Sequence, residues 1–196
     1  MQRSQVQTYA NVERLRKIME EDLKASRTGR VPGFAGNGEL ARNLSLVGQM
    51  INTDFGTRVF YLSINGFDTH SDQQRQHEQL LGQIATAVSG FFDQIKQGGN
   101  AERVLLMTFS EFGRRAKENG SRGTDHGSAA PLFLVGTKVK VGPVGAHPSL
   151  TNLPEGNLEH HTDFRQVYAA VLDGWLGVAH RDVLGGRYAA TEVLQG

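Results

Sequence analysis

Two short stretches bring a carboxylate and an imidazole within a residue or two of each other: Gly66-Phe67-Asp68-Thr69-His70 and Gly123-Thr124-Asp125-His126-Gly127. Residues two apart on an extended backbone point to the same side, so Asp68 and His70 could reach one metal ion. Asp125 and His126 are adjacent, so their side chains diverge and could serve two ions or bridge them. Mixed carboxylate and imidazole donors suit zinc and are compatible with manganese or iron. Calcium, which prefers oxygen shells, fits less well. The competing reading makes Asp68 a turn cap and leaves His70 and His126 as ordinary polar loop residues. For either stretch alone the two readings weigh about equally. Both together favour a divalent-metal site.

Further candidates stand nearby. Glu111 follows an apolar run and could be a ligand, an acceptor that orients a histidine, or the ion-pair partner of Arg114 or Arg115. Arg114, with Arg115 and Arg122, could hold an anionic substrate, since guanidinium matches phosphate or sulfate oxygens in pairs. Loop arginines are commonly just solvated, and of the three Arg114 is the candidate. His160 and His161 precede the last amphipathic stretch, and His161 is the candidate for a third imidazole. Asp163 reads more simply as a helix N-cap. His77 and His180 read as structural or solvent-exposed.

The elements that must position these groups follow from periodicity. Residues 4–24 read as a charged helix with one apolar stripe, and 26–38 as a Gly/Pro linker, together an N-terminal segment 1–38. A second helix is expected over about 39–51. Thr57 to Ile64 is nearly continuously apolar, the pattern of a strand covered on both faces. Ser71 and Gln74 suggest a capping box opening a long helix that stops at Gly98-Gly99. Val104 to Phe109 then reads as a second buried strand. Strand, helix and strand make a parallel βαβ unit, whose crossover is right-handed. Both polar clusters would then emerge at one sheet edge, with Asp68, Glu111 and Asp125 in one cleft. Short strands or a hairpin are expected around Gly136, and a last helix from about Thr162 to Leu176. The expected fold for 39–196 is α/β, a mostly parallel sheet flanked by helices.

The totals agree with one globular domain of 196 residues, 38% hydrophobic and 21% charged, with net charge +1. That balance offers no electrostatic case for nucleic acid or an anionic membrane. No cysteine is present, which excludes disulfides and thiolate zinc sites. No apolar run reaches the length of a membrane span.

GFDTH, SEFGRR, ENGSRGTDHG and HTDFRQVYAAVLDGWLG, in that order, resemble domain-of-unknown-function family 1501, over about Leu40 to Gly186. The resemblance implies an alkaline-phosphatase-like core, here a partial one, shared with phosphatases, sulfatases and cofactor-independent phosphoglycerate mutases. It matches Asp125-His126 to the superfamily's Asp-His-Gly ligand pair, and Asp68 and His70 to the preceding Asp and His. One residue separates that second pair here, where the relatives usually have three.

The resemblance also implies a twin-arginine export signal, a Gly-rich first strand with another carboxylate ligand, and a nucleophile upstream. The expectation is thus a carboxyl-terminal fragment of an exported or periplasmic parent, with neither Ser110 nor Ser128 marked as nucleophile. The function implied is metal-dependent hydrolysis of a small anionic phosphate or sulfate ester. The alternative is a non-catalytic exported binding or assembly protein that keeps the fold and a structural metal. A sheet lacking its first strand would expose an apolar edge, so self-association into a homo-oligomer is expected. Without the upstream nucleophile and carboxylate ligand, weak catalysis is expected.

Overall fold

The computed structural model describes residues 12–20, 24 and 38–195. Residues 12–20 are helical, in agreement with the charged-helix expectation. The rest of that expected helix and nearly all of the 26–38 linker lie outside the described residues. The chain divides into two units, one formed by residues up to Thr69 with Gln74–Val104, the other by His70–Gln73 with Leu105–Gly196.

The first unit is built on two helices. Helix α1 spans Glu39–Asn52 and α2 spans Gln73–Gln97, whose first residue belongs to the second unit. Both carry apolar residues at helical spacing, which bury Ala41, Leu44 and Val47 on α1 and Ala87, Phe91 and Ile95 on α2. Polar side chains lace the two together. The Gln94 Nε2 donates to the Ser45 carbonyl at 3.2 Å, and the Asn52 Nδ2 donates to the Gln94 carbonyl at 3.2 Å. Helix α2 ends as expected, with Gly99 in the left-handed conformation at φ 71°. At its other end it begins at Gln73, so Asp72 rather than Ser71 precedes it.

The parallel sheet is not formed. Residues 57–70 contain no strand, and the described residues hold only two small antiparallel sheets of two strands each. Phe60, Leu62 and Ile64 are half-buried, whereas Val59 and Tyr61 are 68% and 72% exposed. The run is therefore covered on one face only. An apolar composition can specify what a segment buries, but a strand also needs a neighbour for its backbone groups. The βαβ crossover and the partial alkaline-phosphatase-like core fall with it.

In the second unit, β1 is Leu106–Met107 and β4 is Leu134–Val135, and they pair antiparallel with Leu106 opposite Val135. Only these two residues of the expected strand Val104 to Phe109 enter a ladder, and their partner comes from downstream. The Thr108 N–H extends the pairing by donating to the Phe133 carbonyl at 2.9 Å. Strands β2, Gly113–Glu118, and β3, Thr124–Gly127, form an antiparallel hairpin. Gly113 faces Gly127 and Arg114 faces His126, with an irregularity in register before Glu118 faces Thr124.

Helix α3, Phe164–Ala170, continues into a π-helical turn at Val171–Leu176, and Gly177 ends it at φ 64°. Asp163 is its N-cap, in a capping box with Gln166, as the sequence suggested. Val167 and Ala170 pack with Val193, and Met107, Leu132, Leu134 and Leu194 close over them. The carboxyl-terminal segment is held by an antiparallel bridge from Leu194 to Val139. A short helix, α4, covers His180–Leu184.

Candidate metal centre

His70 is placed by the turn of the β2–β3 hairpin. The N–H groups of Asp72 and Gln73 donate to the carbonyls of Ser121 and Arg122 at 3.1 and 2.9 Å. The Asp72 carboxylate accepts from Arg122 Nε at 2.8 Å. Gly123 permits this approach, since a Cβ there would overlap the His70 carbonyl and the Ser71 nitrogen. These contacts make residues 70–73 part of the hairpin's unit, although they lead into α2 in the chain.

Asn119 organises the turn. Its Oδ1 accepts from the N–H groups of Ser121 and Gly123 at 2.9 and 3.1 Å. Its Nδ2 donates to the His70 carbonyl at 3.1 Å and to Asp125 Oδ1 at 3.3 Å. One amide side chain thus ties the backbone of one candidate ligand to the carboxylate of another.

Within that frame His70 and His126 stack, ring centroids 4.9 Å apart and planes 29° from parallel. A ring nitrogen of each lies within 4.8 Å of the other. On its other contact His126 stacks on Phe112, centroids 3.9 Å apart with planes 6° from parallel. Asp125 Oδ1 approaches His70 Nδ1 at 3.8 Å, beyond direct hydrogen-bonding distance. Because these side chains are 50% and 60% exposed, the pair contributes little coulombic stability. Strand alternation sends Asp125 and His126 to opposite sides of β3, as expected. His70 lies near both, but Asp125, His70 and His126 do not form one set of mutually close ligand atoms.

The remaining candidates take several different places. The Phe67 carbonyl accepts from the Thr69 N–H at 2.8 Å, a γ-turn centred on Asp68 rather than an extended segment. Asp68 belongs to the first unit and stands two residues before His70 in the chain. Glu111 is exposed ahead of β2, and His161 is exposed in the loop before α3 and joins no metal-capable cluster among the described residues. The Arg114 guanidinium donates to the Thr124 carbonyl and lies 5.2 Å from the Phe112 ring centroid. His77 meets Phe67 edge-on at 5.3 Å, and His180 is bonded to Asp173, so both take the structural roles expected of them. Ser128 Oγ donates to the Leu158 carbonyl at 2.9 Å.

Sequence reasoning missed Asn119 and Phe112. The signal for Asn119 was its position opening a turn, where an Asx side chain accepts from N–H groups further on. For Phe112 it was an aromatic residue two positions before Arg114, a spacing at which a guanidinium can reach the ring.

Imidazole and carboxylate donors without a thiolate suit a divalent ion of borderline softness.

Two stacked histidines, one on a hairpin strand and one held against that hairpin's turn, define a class of site and leave many protein families open. The profile of domain-of-unknown-function family 1501, described as "Protein of unknown function (DUF1501)", matches residues 10–186. The chain belongs to that family. No curated protein and no solved structure matches it. Among the described residues no helix is long and apolar enough to cross a membrane.

Proposed function

We propose that the chain binds a divalent transition ion, zinc foremost and manganese or iron as alternatives, through His70 and His126. The juxtaposition of these two ring nitrogens carries the reading. The third donor proposed is a carboxylate, with Asp68, two residues before His70 in the chain, as its candidate. Asp125, 3.8 Å from His70 Nδ1, is the group proposed to stand behind that ring, where carboxylates commonly orient a metal-bound imidazole. Asn119 holds both groups to the turn and so limits the freedom that binding would otherwise have to remove.

The function proposed on this site is hydrolysis of a small phosphate or sulfate ester. Kinship with the alkaline-phosphatase-like hydrolases belongs to the same proposal and concerns site chemistry, since the parallel sheet is not formed. When bound, such an ion supplies Lewis acidity to an ester oxygen and lowers the pKa of the attacking group. Arg114, on the same hairpin face as His126, is the group proposed to meet the anion. Self-association of the chain is proposed as well.

Elemental analysis after chelator-free purification tests the site. One equivalent of zinc, manganese or iron is expected, and less than a tenth of that in His70→Ala/His126→Ala. Absence of metal from the wild-type chain, even after dialysis against micromolar zinc, refutes the reading. Metal retained by the double variant moves the site elsewhere. Metal bound with no hydrolysis of aryl phosphates or aryl sulfates favours the non-catalytic binding role.

A further inference from the structure

Burial does not hold His126, which is exposed; its contacts with two flat rings do. Phe112 precedes Arg114 by two residues, and Arg114 faces His126 across the hairpin. Phe112 stands immediately before β2, and its ring touches both the His126 ring and the Arg114 guanidinium, so the three side chains meet at that end of the hairpin. Their rings are 6° from parallel at 3.9 Å, a closer and flatter contact than that between His126 and His70. The Arg114 guanidinium lies over the same phenyl ring at 5.2 Å. Thr124 anchors that guanidinium through its carbonyl, so the cation is itself fixed.

We propose that Phe112 is a positioning residue that holds the His126 ring in the orientation that presents its nitrogen beside that of His70. The inference rests on the metal reading above. A solvent-exposed imidazole on a strand samples several rotamers, and binding must select one of them. A half-buried phenyl ring lying flat against it makes that selection before the ion arrives. Phe112 donates no ligand atom, so its effect must pass through His126.

Binding of Co(II) to the full chain, followed by its visible absorption bands, separates this role from a merely structural one. Phe112→Leu is expected to weaken Co(II) binding about tenfold, the lower end of losses seen when groups orienting a metal-bound imidazole are removed. Its absorption bands should also shift. Phe112→Tyr, which keeps the flat face, should restore wild-type affinity and spectrum. Phe112→Met, which keeps apolar volume without a ring, takes the place of the leucine variant if that variant fails to fold.

Wild-type affinity and spectrum in the leucine or methionine variant overturn the proposal. A wild-type chain that takes up no Co(II) overturns the metal reading instead. The positioning role is then judged on the metal-free protein, from side-chain couplings that report His126 χ1. Rotamer averaging in the leucine or methionine variant, absent in the tyrosine one, supports it. Identical couplings in all variants overturn it.

Discussion

Gly123→Ala places a methyl group against the carbonyl of His70 and the nitrogen of Ser71. Gly123 needs no positive φ, so the effect is purely one of space. The overlap meets backbone on the far side, which cannot rotate away as a side chain would. Relief requires residues 70–73 to lift from the 119–123 turn. That motion lengthens the bonds from Asp72 to Ser121, from Gln73 to Arg122 and from Asn119 to His70. Three such bonds contribute about 1 kcal/mol each, and overpacking a tight contact costs about 1–3 kcal/mol. The two figures describe one displacement and are not summed, so the expected cost is about 2–3 kcal/mol.

Amide hydrogen exchange at Asp72 and Gln73 reads this directly. A loss of 2 kcal/mol corresponds to roughly thirtyfold faster exchange where opening is local. Gly120→Ala is the matched control in the same turn, because nothing lies within 4 Å of its added Cβ. It should change stability by no more than about 0.5 kcal/mol. Unchanged exchange in Gly123→Ala would mean that the close approach of His70 to the hairpin does not hold in solution. The placement of His70 beside His126 would fall with it.

Asp163→Ala removes the N-cap of α3 and should lower stability by about 1 kcal/mol, read as a urea midpoint shift; Asp163→Asn, which can still cap, should lose less. The side-chain bond from Arg165 holds the Asp163 carboxyl down at about 2, from an ordinary 3.8. Its contribution is therefore complete above about pH 4 and is lost as pH falls toward 2, so the wild-type and alanine unfolding midpoints should converge across that window. His180 accepts from the Tyr188 N–H through Nε2 at 3.2 Å and bonds Asp173 through Nδ1 at 2.7 Å. His180→Phe should cost about 1–3 kcal/mol and accelerate exchange of the Tyr188 amide, and a protected amide in that variant would remove His180 from the account.

Helices α1, α2 and α3 were legible because each carries its own instructions. Apolar residues recur at helical spacing, Gly98-Gly99 and Gly177 mark the ends, and Asp163 with Gln166 makes the capping box. All of these act within a few residues of the chain, where sequence distance and spatial distance coincide. The divergence of Asp125 and His126 was legible for the same reason, since alternation is a property of one strand.

Pairing is not such a property. Thr57 to Ile64 has the composition of a buried strand, yet among the described residues it forms no strand. Leu106-Met107 found its partner 27 residues downstream at Leu134-Val135 and antiparallel. The sequence named His70 and His126 as metal-binding candidates, but only the tertiary structure set their rings side by side. It did so through a glycine too small to keep the His70 backbone away and an asparagine that binds two groups at once. Hydrogen bonds between segments fifty residues apart depend on which backbone groups remain without partners after the rest has folded, and no local pattern of side chains encodes that.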